Sequence, residues 1–390
     1  MVVPTGRPTL RCRAGTHRVA LDPARLWAAA RCPTCRTPLD PLRLGRASLW
    51  LRGAVPSSRV LLGTRLLLPL DLLAGAALAV VLAGALLLWG LGDRHWLGTV
   101  ALFAGRWPWL VPALVLLPFA VLWRRRALWP LGLALGLGLF PVMGARLGWR
   151  RALSVPPDRL RVITYNVAAG QRGVPSLPEI VARWAPDVIA IQECGAGVRA
   201  SLGALDGWAV DSTHVCLASR YPLLAVHRMP NEQFHGPGGA GYVATYELAT
   251  PHGTVWFTNL HLETPRDGLE VLLGASLRRA IPEVHANTLL RDIESVQARR
   301  FIDSLPGPRL VAGDFNMPVE SALWRRHWGD LLDAHDAAGT GFGWSKRDGW
   351  IRSRIDHVLS DGAWQPRRAM VGPDYGSDHD PLIVDFAPPR

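Results

Sequence analysis

The sequence predicts an α+β soluble domain of about 230 residues behind an all-α membrane region. Three observations predict it. Three long apolar runs fall between residues 66 and 145. Beyond residue 160, six short apolar runs rich in alternating and β-branched residues each end in a polar side chain, with helix-like stretches at 175–185 and 285–305 among them. The charge divides at the same boundary: residues 1–160 carry a net +16 and residues 161–390 a net −4, giving +12 overall. A chain of 390 residues with 19% charged residues is neither a small scaffold dependent on staples nor a disordered polymer. The basicity belongs to the first two-fifths, so it speaks of membrane orientation and anionic lipid before it speaks of nucleic acid. One of the 43 basic residues is a lysine, Lys346, and the rest are arginine, which reads as a compositional bias.

Residues 1–60 form a basic leader. Cys32-Pro-Thr-Cys35 is a CxxC knuckle, and Cys12 and His17 lie upstream where they could complete a Cys3His tetrahedron. Zinc suits two thiolates on one turn joined by a second pair. So short a segment builds no core alone, and structural Zn²⁺ would supply its folding energy. The first half lacks a CxxC, and the competing reading is a disordered basic leader with incidental thiols. Five cysteines in all are too few and too scattered for a disulfide framework. Cys194 and Cys216 read as small buried hydrophobes that could pair as a disulfide outside the cell.

Residues 66–146 read as an anchor of about three transmembrane helices, at 66–92, about 107–123 and about 127–145. The first is long enough for a hydrocarbon core that needs about 20 apolar residues. Pro108, Pro112, Pro118 and Pro130 would break soluble helices but are tolerated in membrane ones. Trp89, Trp107, Trp109, Trp123 and Trp129 cluster at the ends of the runs, as an aromatic belt does. Twelve arginines precede the first run, and Arg124-Arg125-Arg126 separates the second from the third. Both belong on the cytoplasmic side by the positive-inside rule, which puts the soluble domain outside the cell membrane. Arg146, Arg150 and Arg151 argue mildly the other way, and two spans or a reversed topology remain open.

Residues 147–158, with Pro156-Pro157, form a linker, and 159–390 form the soluble domain. Its apolar runs end at Asn166, at Glu193, at His261, at Asp314 with Asn316, at Asp356, and beside Asp378-His379. A strand delivers its terminal residue to the rim of a sheet. Each of these residues alone has a bland reading as turn, cap or filler. Six in order are hard to reduce to chance.

These segments resemble the endonuclease/exonuclease/phosphatase superfamily, which includes pancreatic deoxyribonuclease and neutral sphingomyelinases. The motifs that carry the resemblance are TYNV, IQE, NLHLE, GDFN, RIDHV and SDHDP, over about 160–387. The resemblance implies a four-layered αββα sandwich of two packed mixed sheets, and metal-dependent hydrolysis of a phosphoester. It implies that Glu193 binds Mg²⁺ or Mn²⁺, with Asn166 and Asp378 holding the metal or its waters. Asp314 would position or activate the attacking water and Asn316 would hold a phosphate oxygen. His379, oriented by Asp356, would bond the phosphate or the nucleophile, and His261 would act as general acid. The base is Asp314 or His379. Independently of any family, a phosphodiester repels a nucleophile through its own charge, and a hard cation with oxygen ligands offsets that charge.

The expected substrate is a phosphoester, nucleic acid or phospholipid head group, met at a lipid bilayer; no protein partner is identifiable. The rival function is a catalytically silent membrane sensor with a ligand-binding outer domain. A transporter fits poorly, because the runs lack central ionisable residues. The glycine-rich stretch His235–Gly241 reads as a flexible loop more than a phosphate cradle. Arg291, Arg299 and Arg300 read as a solvated helix face.

Overall fold

A computed structural model describes residues 9–11, 18–20, 58–148, 154–171, 173, 176–274 and 276–389. The chain divides into two compact units, 1–72 and 73–390. In the first, Thr9–Arg11 and Arg18–Ala20 pair as antiparallel strands. Cys12, His17, Cys32 and Cys35 of the expected zinc ribbon lie outside the described residues.

Helix α1 (Ser58–Ala85) continues through a widened turn to Leu91. Its portion Pro69–Arg94 is the one described helix long and apolar enough on its own to cross a membrane. Helix α2 (Trp96–Phe103) and the following helical stretch Trp107–Trp123, which contains α3 (Val111–Trp123), meet at 90° and pass the same test only as a pair. The third expected span differs. Helix α4 (Leu128–Leu137) extends through Gly138–Val142, ten residues plus five, short of the roughly 20 a straight crossing needs. Pro141, with no N–H to give the ladder, sits in that widened last segment. The helices touch through small residues: a Cβ on Gly84 would strike Trp109, and one on Gly138 would strike Leu110. The Trp89 indole donates to the Pro141 carbonyl at 2.8 Å. Leu72, Leu122, Trp123 and Trp129 point outward, each more than 60% exposed.

The rest of the second unit is built on two six-stranded sheets. In chain order their strands are β1 (Leu160–Asn166), β2 (Val188–Gln192), β3 (Ala209–Ser212), β4 (Cys216–Ser219), β5 (Leu223–Arg228), β6 (Tyr242–Thr250), β7 (Gly253–His261), β8 (Arg309–Asp314), β9 (Leu332–Asp333), β10 (Asp356–Ser360), β11 (Gln365–Val371) and β12 (Leu382–Ala387). One sheet has the order β11-β12-β1-β2-β4-β3 and the other β9-β10-β8-β7-β6-β5. Each contains one parallel pair, β1/β2 and β7/β8, among antiparallel neighbours. Both are therefore mixed sheets.

Alternation along the strands makes the layers. On β1, Leu160 and Val162 face the other sheet and join Val188, Phe257, Leu310 and Val384 in the central core. Ile163 and Tyr165, one step out of phase, pack beneath helices α5 (Leu177–Trp184) and α6 (Ala196–Gly203). Ser176 caps α5 by accepting from the Glu179 N–H, and Ala185 ends it in a left-handed conformation. On the opposite side, Val311 and Leu359 pack with Ala298, Ile302, Trp324 and Trp328 under helix α8 (Leu277–Asp303). Three apolar layers between helices and sheets give the expected αββα sandwich.

Candidate active site

The strand register assembles the site. His261 pairs with Asp314 across the parallel β7/β8 ladder, and Asp314 pairs with Asp356 across β8/β10. The three lie in one row at one end of their sheet. In the other sheet Asn166 pairs with Gln192 at the end of β1/β2, and Glu193 follows. Polar side chains staple the two sheets beside the site. Asn259 donates to the carbonyls of Ile191 and Cys216 at 3.1 and 2.8 Å, and accepts from Gln192 at 2.6 Å.

Asn166 spans the seam, donating to Glu193 Oε1 at 3.0 Å and to Asp314 Oδ2 at 2.9 Å. Two imidazoles approach the same Asp314 oxygen: His261 Nε2 at 3.8 Å and His379 Nε2 at 3.7 Å. His261 Nε2 also stands 3.8 Å from Glu193 Oε1. His379 Nδ1 is held by Asp356 Oδ2 at 2.8 Å, which aims Nε2 at Asp314. Asn316 donates its backbone N–H to Asp314 and its amide to the Leu262 carbonyl. Asp378 accepts from Lys346 and lies 3.9 Å from His379 Nε2. All eight expected residues thus belong to one cluster. The carboxylate and imidazole atoms that lie within 4.8 Å of one another belong to Asp314, Asp356 and His379.

The backbone is bent to suit. Glu193 and Asn316 both adopt φ near +52°, a left-handed conformation that non-glycine residues rarely take. Gly313 has φ +147°, and a Cβ there would run into the Leu260 carbonyl of the neighbouring strand. A disulfide, Cys194–Cys216, ties the residue after Glu193 to β4.

Burial and the Asp356 charge push the Asp314 carboxyl above its ordinary range. Burial opposes charge on Asp356 too, yet the His379 ring overrides it and leaves Asp356 below its usual value. His379 is raised in turn, because Asp356 and Asp314 outweigh its burial. Asp356 Oδ1 is buried with no hydrogen-bond partner, so the cluster has spare acceptor capacity.

Other contacts of basic residues left little mark in the sequence. Arg291 is fully buried rather than solvated, bonded to Asp93 at 3.1 Å and to the Asn316 carbonyl at 2.9 Å. Its partner is 198 residues away. Arg299 is tied to Asp303 and Asp330. Lys346 at Asp378 did leave a signal, as the lone lysine of an arginine-rich chain. The His235–Gly241 stretch folds against Glu294, where a Cβ on Gly239 would crowd Glu294 Oε1, and Ala240 reaches the cavity beside the site.

The fold and site define an α+β sandwich with a cluster of acids, amides and imidazoles where its two sheets meet. The Endonuclease/Exonuclease/phosphatase family model matches residues 163–379, and the chain belongs to that family. Solved structures of similar fold include D. rerio TDP2 humanized by 14 mutations, with 16% identity and a TM-score of 0.43 over 59% of this chain and 99% of that one. A Bacteroides thetaiotaomicron mannosyl-6-phosphatase has 16% identity and a TM-score of 0.43 over 58% of this chain and 99% of that one. The Beutenbergia cavernae endonuclease/exonuclease/phosphatase has 19% identity and a TM-score of 0.40 over 60% and 72%. No curated protein gives a significant sequence match.

Proposed function

We propose that this chain is a membrane-anchored phosphoesterase that uses a divalent metal and attack of water to hydrolyse a phosphodiester. The observation that carries it is the row His261–Asp314–Asp356, closed by His379 and faced by Asn166 and Glu193. The donor set is carboxylate oxygen, from Glu193, Asp314 and Asp378, which suits Mg²⁺ or Mn²⁺. The buried, unpartnered Asp356 Oδ1 and the raised Asp314 carboxyl mark a cluster with more negative capacity than its protein cations neutralise. Glu193 would hold the ion, with Asn166 and Asp378 holding it or its waters. Bound there, the cation supplies charge neutralisation on the phosphoryl oxygens.

In this reading Asp314, steadied by Asn166 and with its proton affinity raised by burial, orients the water and takes its proton. Charged His379, locked by Asp356, and the Asn316 amide face the phosphoryl oxygens. His261 gives a proton to the leaving oxygen. The test is hydrolysis of bis-p-nitrophenyl phosphate by the detergent-solubilised full chain. Turnover should require Mg²⁺ or Mn²⁺ and vanish in Glu193→Ala and His379→Ala; full turnover in chelator overturns the reading.

The outward apolar faces of the helices support anchoring in a bilayer. The loop 92–106 packs on the sandwich, whereas Arg124–Arg126 lies at the other end of α3, which supports a cytoplasmic arginine turn and an outer sandwich. The disulfide fits an oxidising compartment. External protease on intact cells should cleave the sandwich; protection reverses the topology.

A further inference from the structure

A cavity of about 520 Å³ opens on the cluster. Its floor is Glu193, His261, Asp314, Asn316 and His379. Its wall is of a different character: Val100 and Phe103 of α2, Leu269 and Leu272 of α7 (Arg266–Gly274), and Ile351. Helix α2 belongs to the anchor, since it joins the first apolar helix to the second. It stands at 90° to the helical stretch that follows, so if that stretch crosses a bilayer α2 lies along the bilayer surface.

This wall is fixed to the floor. Arg106, just after α2, makes a bidentate pair with Glu320 at 2.8 and 2.9 Å. Asp93, just before α2, bonds Arg291 and Ser321. Both pairs are buried, and both Glu320 and Ser321 continue the strand-end loop that begins with Asp314 and Asn316. The hairpin of strands Lys346–Asp348 and Ile351–Ser353 lines the cavity and carries Trp350 at its tip. Trp350, 59% exposed, meets Trp107 edge-on at 5.8 Å, an aromatic pair where the second apolar helix begins.

The charges along the cavity also discriminate. Arg266, Lys346 and charged His379 are its cations, among the carboxyls of Glu193, Glu263, Glu270, Asp314 and Asp348. A polyanion needs several phosphate contacts along a strand, and this lining offers few cations to make them. A single phosphate with an apolar body suits it.

We infer that the substrate is a membrane-resident phosphodiester lipid, its phosphate in the acid–histidine cluster and its apolar part along the wall of α2 and α7. The inference rests on the phosphoesterase reading above. The experiment uses the full chain with Mg²⁺ or Mn²⁺ on three probes: phosphatidylglycerol in mixed micelles, a single-stranded oligonucleotide, and bis-p-nitrophenyl phosphate. Lipid hydrolysis should exceed oligonucleotide hydrolysis. In Leu269→Asn/Leu272→Asn the ratio of lipid to bis-p-nitrophenyl phosphate turnover should fall about tenfold, the scale on which apolar contacts discriminate substrates. The small ester also reports whether the variant is folded, and the wild-type comparison needs no variant. Preference for the oligonucleotide, no lipid hydrolysis, or an unchanged ratio overturns the lipid assignment and leaves the phosphoesterase reading standing. No turnover of any probe by the wild type overturns both.

Discussion

Two buried charged regions lie side by side in this molecule, and they are held in opposite ways. In the loop at 92–106, Arg106 meets both oxygens of Glu320 at 2.8 and 2.9 Å, and Asp93 is engaged by both Arg291 and Ser321. Burial alone would raise the Glu320 carboxyl, but Arg106 overrides it and holds that group below its ordinary value. In the strand-end cluster the imidazoles stand 3.7 to 3.8 Å from Asp314, a buried acceptor of Asp356 lacks a partner, and the Asp314 carboxyl is raised. In the loop each buried acid has its own arginine, although Arg106 Nε and Arg291 Nε find no partner. In the cluster the acids outnumber the cations beside them. Buried charge by itself therefore marks neither structure nor chemistry; whether each buried acid has its own cation does.

The sharpest way to break this contrast is to remove charge from each region in turn. Asp314→Asn should lower kcat for bis-p-nitrophenyl phosphate by about 10³-fold or more while the melting temperature holds or rises, because a disfavoured buried carboxyl is gone. A variant that loses both activity and fold would put Asp314 among the structural charges. Arg106→Met should do the reverse in kind. Leaving Glu320 buried and unpaired should destabilise the chain by about 3–5 kcal/mol in denaturant titration, and Arg106→Met/Glu320→Leu should recover most of it. Equal damage in the single and double variants would mean the pair is not a closed unit.

The same contrast explains what could be read in the sequence. Each strand of the cluster carries its own apolar run and its own polar end, so RVITYN, VIAIQE and RLVAGDFN announce both the element and the residue it brings to the cluster. Helix α5 fell within the helix-like stretch at 175–185. The loop at 92–106 gave no such sign. Arg106–Glu320 and Asp93–Arg291 join residues 214 and 198 positions apart, and nothing near Arg291 distinguishes it from the arginines of a solvated face. The turn after Phe103 that sets α2 at 90° was equally silent, since WLGTVALF and the run after it are alike in hydropathy. Register was the hidden part of the site: six strand ends suggest a rim, but only the ladders put His261, Asp314 and Asp356 in one row.

The disulfide tests whether the open region borrows rigidity from a closed one. Cys194–Cys216 closes a loop with a separation of 22 residues immediately after Glu193. In the chain-entropy picture such a loop contributes about 3–4 kcal/mol. Cys194→Ser/Cys216→Ser should lower stability by about that amount and should weaken apparent metal affinity more than it lowers kcat at saturating metal. An unchanged metal titration would mean Glu193 holds its left-handed conformation without the crosslink.

Glu263 and Glu294 offer the smallest and most selective probe, because they are buried acids with neither a cationic lock nor a place in the row. Burial pushes both carboxyls up to about 7, Glu263 with help from the Glu294 charge; for Glu294 the Glu263 N–H at 2.7 Å, the Gly241 and Ala240 amides and the Arg291 charge offset burial only in part. Below about pH 4.5 folded and unfolded chains both hold these protons, and nothing is lost. Between about 4.5 and 7 the unfolded chain has released protons that the folded chain keeps, so stability falls as pH rises through that window and levels off above it. The fall should be about 3 kcal/mol for Glu294. Glu294→Gln retains the acceptor for the Glu263 N–H and removes the charge. It should melt higher than wild type at pH 8, match it near pH 4.5, and flatten the slope between. Parallel melting curves for the two proteins across that range would show that Glu294 is ionised and accommodated in the fold, which would make it one more matched charge of the Glu320 kind.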